Sequence, residues 1–361
     1  MKKISIILLT VLVLLSFACT RQQTQRSADT FELALVTDLG TIDDKSFNQG
    51  SWEGLIMYAR EKGVPHKYYQ PAEQSNDAYL TTIDLAVRGG AKVIVTPGFL
   101  FETPIYIAQD RYPDVHFILI DGVPHSADYS TFRTADNVVG VLYAEDQAGF
   151  LAGYAAVKDG NRRLGFMGGM AVPPVVRFGY GFVQGAEFAA QELGLSAGSV
   201  TINYYYTGGF AATPEAQTMA ASWYNNGIDV IFACGGAVGN SVMAAAEQAG
   251  KKVIGVDVDQ SGESQTVITS AMKGLAPSVY ACISDFYAGR FPGGQTLIFE
   301  AANDGVGLPM ATSRFQSFSM ADYNFIFNKL VNGEIPRMDN ISEDGSPRVV
   351  PVRIVRVTEV R

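Results

Sequence analysis

Short apolar runs, each stopped by Gly, Asp or Pro, alternate with longer amphipathic stretches along this chain, and that rhythm limits the possible folds more than any other feature. Residues 31–37 end at Asp38, 92–96 at Pro97-Gly98, 116–120 at Asp121-Gly122 and 163–167 at Gly168-Gly169. Residues 200–206 end at Thr207-Gly208-Gly209, 229–234 at Gly235-Gly236 and 252–256 at Asp257. The runs are rich in Val, Ile and Phe and lack clean alternation, as parallel strands covered on both faces do. Between them, residues 47–62 place Trp52, Leu55, Ile56 and Ala59 on one stripe. Residues 77–88, 145–157, 185–193, 214–225, 241–248 and 276–288 also read as helices. Strand–helix alternation predicts an α/β fold of doubly wound parallel sheets with right-handed crossovers.

At 361 residues, 47% of them hydrophobic, the chain suits two sheets better than one oversized sheet. Asn161-Arg162-Arg163 opens a fresh strand after the helix at 145–157. The expected first lobe is therefore 31–150 and the second 151–270. The run 265–270 and the helix after it return the chain, so about 271–320 should complete the first lobe. Residues 321–361 are expected to add a C-terminal helix and strand segment, with Ser342–Pro347 preceding a strand-like 349–357.

The N-terminus sets the expected compartment. Lys2 and Lys3 precede an apolar run over 4–18, short for a membrane span of ~20 residues. A small residue, Ala18, then Cys19 resembles a bacterial lipoprotein signal. On that reading 1–18 are the signal peptide, Cys19 carries lipid, and the polar 19–30 tether an exported body to the cell membrane. Cys234 and Cys282 lie in apolar segments, where buried thiols are expected rather than a bridge. A net charge of −9 argues against a broad basic surface for nucleic acid. Three histidines and three cysteines leave little for a metal site, and neither metal nor cofactor is expected.

In open α/β sheets, ligands bind beyond the carboxyl ends of the strands. Those ends here carry Asp38, Asp121, Asp257 and several Gly pairs. Any one Asp is ordinarily a turn former or helix cap; three strands ending in Asp bring carboxylates toward one cleft. Asp44 or Ser46 should cap the helix that follows, which puts Phe47 and Asn48 on its first turn. Phe47 there serves either as core or as an exposed aromatic platform.

The run from Asp38 to Gly54, with Asp43-Asp44-Lys45-Ser46-Phe47-Asn48 and Trp52-Glu53-Gly54, resembles the opening of the basic membrane protein family of lipoproteins. That family includes purine nucleoside receptor lipoproteins, the substrate-binding subunits of ABC importers. Ile120-Asp121-Gly122, Phe178 to Gly185, Thr207 to Phe210, Gly235-Gly236 with Gly239, Gly255 to Gln260 and Thr269 to Lys273 match in order. The resemblance covers roughly residues 31–290 and implies a type I periplasmic-binding-protein fold, two lobes hinged to close on ligand. It also implies a monomer that binds a purine nucleoside and serves an ABC permease with its ATPase. By the same motifs, Asp38 and Asn48 resemble the groups that hydrogen-bond the base, and Phe47 one stacking ring. Phe210 is the candidate opposing ring, with Phe178 and Phe182 as competitors. Asp121, Asp257 and Lys273 resemble ribose ligands, and Gly235 and Gly236 would allow close backbone approach. Arg177, near Pro173-Pro174, is a further candidate or a structural residue.

The chemistry suits such a ligand: a purine offers two π-faces and a polar edge, and ribose hydroxyls donate well to carboxylates. Several acids without a Lys/Arg cluster disfavour a phosphate. Gly179-x-Gly181-x-x-x-Gly185 is one residue too long for a dinucleotide fingerprint and lies in a helical stretch, so close packing is the expectation. No phosphate loop, H-E-x-x-H or G-x-S-x-G elbow occurs. His66, His116 and His125 show no triad partners. Binding without chemistry is therefore expected. The alternatives are a sugar or small-signal receptor of the same fold and, behind it, a nucleoside hydrolase built on Asp38, Asp43 and Asp44.

Overall fold

The computed structural model describes residues 30–38, 40–338 and 350–360. The expected signal peptide, the Cys19 lipid site, nearly all of the tether and the Ser342–Pro347 segment lie outside the described residues. In chain order the strands are β1 (Leu33–Val36), β2 (His66–Tyr69), β3 (Val93–Pro97), β4 (His116–Ile120), β5 (Val138–Tyr143), β6 (Arg163–Gly168) and β7 (Val200–Tyr206). They continue with β8 (Val230–Cys234), β9 (Lys252–Asp257), β10 (Val267–Lys273), β11 (Gln295–Phe299), β12 (Val306–Gly307) and β13 (Val355–Glu359). The helices are α1 (Phe47–Lys62), α2 (Asn76–Arg88), α3 (Glu102–Arg111), α4 (Glu145–Lys158) and α5 (Pro173–Glu192). After them come α6 (Pro214–Asn225), α7 (Val238–Ala249), α8 (Leu275–Tyr287) and α9 (Met320–Val331).

Among the described residues two sheets form, in the orders β11-β5-β4-β3-β1-β2 and β12-β10-β9-β8-β6-β7-β13. The pairs are parallel except β10 with β12. Helices cover both faces of these sheets, so β1 and β3 are buried along their whole length. This is the type I periplasmic-binding-like arrangement of two α/β lobes. β2 lies at a sheet edge with exposed Lys67 and Tyr68, which is why its His-Lys-Tyr-Tyr sequence carries no apolar signal.

The chain leaves the first sheet after Tyr143 and returns only after Lys273. Residues 271–273 thus belong to β10 of the second sheet, rather than opening the return. α8 packs on α1, where Gly54 lies against the Ala276 backbone, and β11 completes the first sheet. β12 goes back to the second sheet, against the expectation that 271–320 would complete the first lobe, because it pairs with Met272 and Lys273 of β10. β13 extends the second sheet by pairing with β7 from Val355 onward, later than the expected 349–357.

Local chemistry accounts for the helix limits. Ser75 and Thr213 cap α2 and α6 by accepting the amides of Ala78 and Ala216, both at 3.1 Å. Gly63, at φ 67°, ends α1 in the left-handed conformation. α5 begins at Pro173 rather than at the expected residue 185, because proline is welcome at a helix start, where its missing N–H costs nothing. α4 and α5 approach so closely that a Cβ at Gly181 would overlap the Asp146 carbonyl, and one at Gly149 the Phe178 carbonyl. The glycines at 179–185 therefore serve packing. Cys234 and Cys282 are buried free thiols.

Buried carboxylates fasten the C-terminal part of the chain to the second lobe. Asp146 receives both Arg337 Nε and Nη2, at 2.6 and 2.7 Å, and the Met338 amide at 2.9 Å. Asp159 accepts the amides of Gln316 and Ser317 at 2.6 and 2.7 Å. Glu187 accepts those of Arg353, Ile354 and Val355 at 2.8–3.0 Å.

Candidate functional site

A cavity of about 610 Å³ lies where the carboxyl ends of strands from both sheets converge. β1, β3 and β4 bring Asp38, Gly98 and Asp121 to it; β8, β9 and β10 bring Gly235-Gly236, Asp257 and Lys273. Phe47 and Asn48 enter from the first turn of α1, Phe178 from α5, and Phe210 from the loop after β7. Of the sequence-predicted residues, Asp38, Phe47, Asn48, Asp121, Phe178, Phe210, Gly235, Gly236, Asp257 and Lys273 share this one lining.

Two expected residues fall outside it. Phe182 is fully buried, one helical turn beyond Phe178, with its ring centroid 5.3 Å from that of Phe232. It is core. Arg177 turns to α4, where its Nε donates to Glu145 Oε2 at 2.6 Å. Its place is a buried ion pair.

The start of α1 forms a tightly bonded polar corner. Asp44 accepts the backbone amides of Ser46, Asn48 and Gln49 at 2.9, 2.9 and 3.1 Å, and so does the capping work. The Ser46 hydroxyl is thereby free to reach across the lobes, donating to Asp257 Oδ2 at 2.6 Å. The Asn48 side-chain amide donates to Asp38 Oδ1 at 2.9 Å and to Asp44 Oδ2 at 3.1 Å. Asp38 also accepts the Gly40 amide, at 2.6 Å. Burial still pushes the Asp38 and Asp44 carboxyls above their usual range, against these bonds.

The opposite corner is built on Lys273. Its ammonium bonds Asp121 Oδ2 and lies 3.2 Å from Glu145 Oε1 and 3.9 Å from Asp257 Oδ1. It also sits 4.9 Å from the Phe47 ring centroid and 5.4 Å from that of Phe178. Burial alone would lower its pKa, but the three carboxylates outweigh burial and hold it above the usual lysine range. Burial raises Asp121 to about 7 and raises Asp257 in the same direction, each against the pull of Lys273. Glu145 is also desolvated, yet Arg177 and Lys273 keep it below its ordinary value. Asp121 and Asp257 both adopt left-handed backbone, at φ 57° and 66°, a conformation that costs a non-glycine residue free energy.

Gly236, at φ 54°, turns the chain after β8. Gly235 lies so near Gly169 that a Cβ would stand 2.6 Å from its amide nitrogen. The wall from the second lobe adds Met170, Val172, Pro174 and Val175, and the first lobe adds Thr41, Gln74, Phe99 and Leu100. Sequence reasoning did not single these out. Phe99 follows a strand-end glycine, so the strand-end rule that found Asp38 could have found it. Glu145 had no such signal, because its partners Arg177 and Lys273 are distant in sequence.

The site is suited to holding a neutral, flat, hydroxyl-bearing molecule. Its aromatic rings come from both lobes, its carboxylates accept hydrogen bonds, and its one buried ammonium is already matched by acids. Among the described residues no group of His, Cys, Asp and Glu is placed to hold a metal ion. No helix among them is long and apolar enough to cross a membrane.

Residues 31–340 match the family described as Bmp, ABC transporter substrate-binding protein PnrA-like. A Lactococcus lactis protein named ABC transporter nucleoside-binding protein BmpA is 30% identical over 308 residues, which is 78% of this chain and 83% of that protein. The CD4+ T-cell-stimulating antigen of Listeria monocytogenes is 30% identical over 333 residues, covering 86% and 88%. Basic membrane protein B of Borreliella burgdorferi is 27% identical over 331 residues, covering 90% and 92%. Among solved structures, an ABC transporter solute-binding protein from Aeropyrum pernix superposes with a TM-score of 0.73 at 24% identity. That likeness spans 84% of this chain and 92% of the other and shows the fold. A substrate-binding protein of this kind carries out no chemistry itself and works with a permease and its ATPase. The chain belongs to the Bmp family and is a PnrA-like substrate-binding protein of an ABC transporter.

Proposed function

We propose that this protein captures a purine nucleoside between its two lobes and passes it to an ABC permease, while lipid on Cys19 holds it to the outer side of the cell membrane. The observation that carries the reading is one cavity lined by a phenylalanine from each lobe, Phe47 and Phe210, together with carboxylates suited to a base edge and to sugar hydroxyls. Asp38 and Asn48 sit beside Phe47 at the start of α1 and serve the base. Asp121, Asp257 and Lys273 serve the ribose. Charge-assisted bonds to the hydroxyls are worth ~1.5–3 kcal/mol each. A phosphate would meet Asp38, Asp44, Asp121 and Asp257, and among the described lining residues the cation, Lys273, is already paired with acids. The name of the Lactococcus relative supports a nucleoside.

Closure follows from where the groups lie. A ligand shifts an open–closed equilibrium only through contacts that differ between the two states. A nucleoside touching Phe47 and Asp121 on one lobe, and Phe210 and Asp257 on the other, meets that condition.

Isothermal titration of the chain from Thr20 onward, refolded to strip carried ligand, tests the reading against adenosine, guanosine, inosine, uridine and ribose. Tight binding of purine nucleosides with weak ribose binding is expected. Binding of ribose alone would overturn the ligand, and release of free base from inosine would overturn the assignment as a binding protein.

A further inference from the structure

We infer that Gln260 is a closure residue: it fastens the turn before α1, in the first lobe, to the end of β9, in the second, and so sets how slowly the ligand leaves. It is a positioning residue for the capture proposed above, on which this reading rests, and it stands outside the cavity.

Gln260 is only 1% exposed, and two strands of the second lobe build it in. Its side-chain Oε1 accepts the Val256 amide of β9 at 3.0 Å, and its backbone amide donates to Ser270 Oγ of β10 at 3.1 Å. Gly255 leaves room for the side chain to fold back over the strand, since a Cβ there would stand 2.4 Å from Gln260 Oε1. The other end of the side-chain amide crosses to the first lobe, where Nε2 donates to the Lys45 carbonyl at 2.7 Å. Chemistry fixes this orientation. Turned over, the amide would set its oxygen against the Lys45 carbonyl and its nitrogen against the Val256 N–H.

The receiving turn is held in an unusual shape. Lys45 adopts left-handed backbone, at φ 61°, which costs a residue with a side chain free energy. Two more contacts cross between the lobes beside it. The Ser46 hydroxyl donates to Asp257 at 2.6 Å, and Lys45 Nζ lies 3.8 Å from Glu263 Oε1. The ion pair is partly exposed and contributes little, and the Ser46 bond ends on a carboxylate assigned to the ligand. The Gln260 bond differs from both: it starts from a buried neutral side chain, and neither Gln260 nor Lys45 lines the cavity.

A hydrogen bond between two lobes lasts only while they are closed at that point. Opening carries the Lys45 carbonyl away from Gln260 and leaves both groups to find other partners. The bond therefore favours the closed state without touching the ligand. Ligand enters an open cleft, where the bond is not yet made, so its effect falls on departure and not on entry. Phe47 stands two residues beyond Lys45, so the same bond sets the ring of the first lobe in register with the second.

The test is surface plasmon resonance on the same soluble chain at pH 8, with inosine and guanosine as probes, in wild type, Gln260→Glu and Gln260→Met. An ionised carboxylate at this position still accepts the Val256 amide but has no hydrogen for Lys45. A thioether side chain fills similar space and makes neither bond. Both variants should release nucleoside about tenfold faster, the scale of one hydrogen bond lost with its partner left unpaired. Their association rates should stay within about twofold of wild type. A merely structural role would instead slow association or leave both rates unchanged, and either result overturns the inference while the nucleoside reading stands. If no nucleoside binds wild type, the nucleoside reading falls, and small-angle scattering of the ligand-free chains decides the contact alone. A larger radius of gyration in Gln260→Glu than in wild type upholds it, and equal radii overturn it.

Discussion

Asp121 and Asp257 hold matching places in the two lobes. In the orders β2-β1-β3-β4-β5 and β7-β6-β8-β9-β10, each aspartate closes the fourth strand, or directly follows it, in left-handed backbone. A single ammonium, that of Lys273, faces both. The two lobes thus deliver equivalent carboxylates to one cation beside the chain crossings.

Lys273→Met should destabilise the fold strongly. It leaves Asp121, Glu145 and Asp257 buried without their shared ammonium, Glu145 still paired with Arg177 and Asp257 still bonded by the Ser46 hydroxyl. Removing one partner from a buried ion pair costs about 3–5 kcal/mol. Urea unfolding should show a loss of that size, partly recovered in the double variant with Asp121→Asn. A loss below about 1 kcal/mol would mean that the cluster is not the anchor described here.

Phe47 and Phe210, which line the cavity, and Phe182, buried in the core beneath it, should behave differently. Phe47→Ala and Phe210→Ala should each weaken nucleoside binding, by about 1–3 kcal/mol of lost base stacking, with little change in melting temperature. Phe182→Ala should instead cost about 3–5 kcal/mol of stability through the hole it leaves in the core. Calorimetric titration beside thermal melts separates the two effects. Unchanged affinity in both cavity variants would remove the stacking assignment.

Stability should fall as pH rises toward neutrality. Burial lifts Asp121 to about 7, against about 3.9 in an unfolded chain. Between those values the native state binds more protons than the unfolded state, so the unfolding free energy declines with increasing pH. Asp257, raised in the same direction, adds to the slope. A single group contributes at most about 1.4 kcal/mol per pH unit. Urea midpoints should be higher at pH 5 than at pH 8, and Asp121→Asn should flatten the difference. A midpoint that climbs from pH 5 to pH 8 would contradict the charge balance of the cluster.

Gly181→Ala should disturb the α4–α5 contact, since its methyl group meets the Asp146 carbonyl. Overpacking of this kind costs about 1–3 kcal/mol. Denaturant melts measure it; a neutral outcome would mean that the two helices can separate without loss.

A Cys19→Ala chain expressed with its N-terminal segment should lose incorporation of labelled palmitate. Persistent labelling would place the lipid elsewhere and contradict the lipoprotein signal.

The strand ends were the most legible part of the molecule. Apolar runs stopped by Asp or Gly announced β1, β3, β4, β6, β7, β8 and β9, and with them Asp38, Asp121 and Asp257. Edge strands β2 and β11 escaped notice, because exposed residues such as Lys67, Gln295 and Ile298 give them no apolar pattern. Phe178 and Phe182 could not be separated by sequence: one helical turn apart, they share a stripe, and only the tilt of α5 puts one at the cavity and the other under it. Arg177 and Glu145 lie on different helices, and no local pattern predicts that they pair. The second duty of Asp44, fixing the Asn48 amide, was likewise hidden behind its ordinary capping role.

The carboxylate fastenings of Asp146, Asp159 and Glu187 bear on how the molecule is made. β11 and β13 are synthesised long after the strands they pair with, and the fastenings act on residues 316–355. A chain made N-terminus first carries the first sheet unfinished until β11 and the second until β13. Non-local pairing of this sort delays folding. The late segment acts as a latch, its backbone amides and the Arg337 guanidinium seated on Asp159, Glu187 and Asp146.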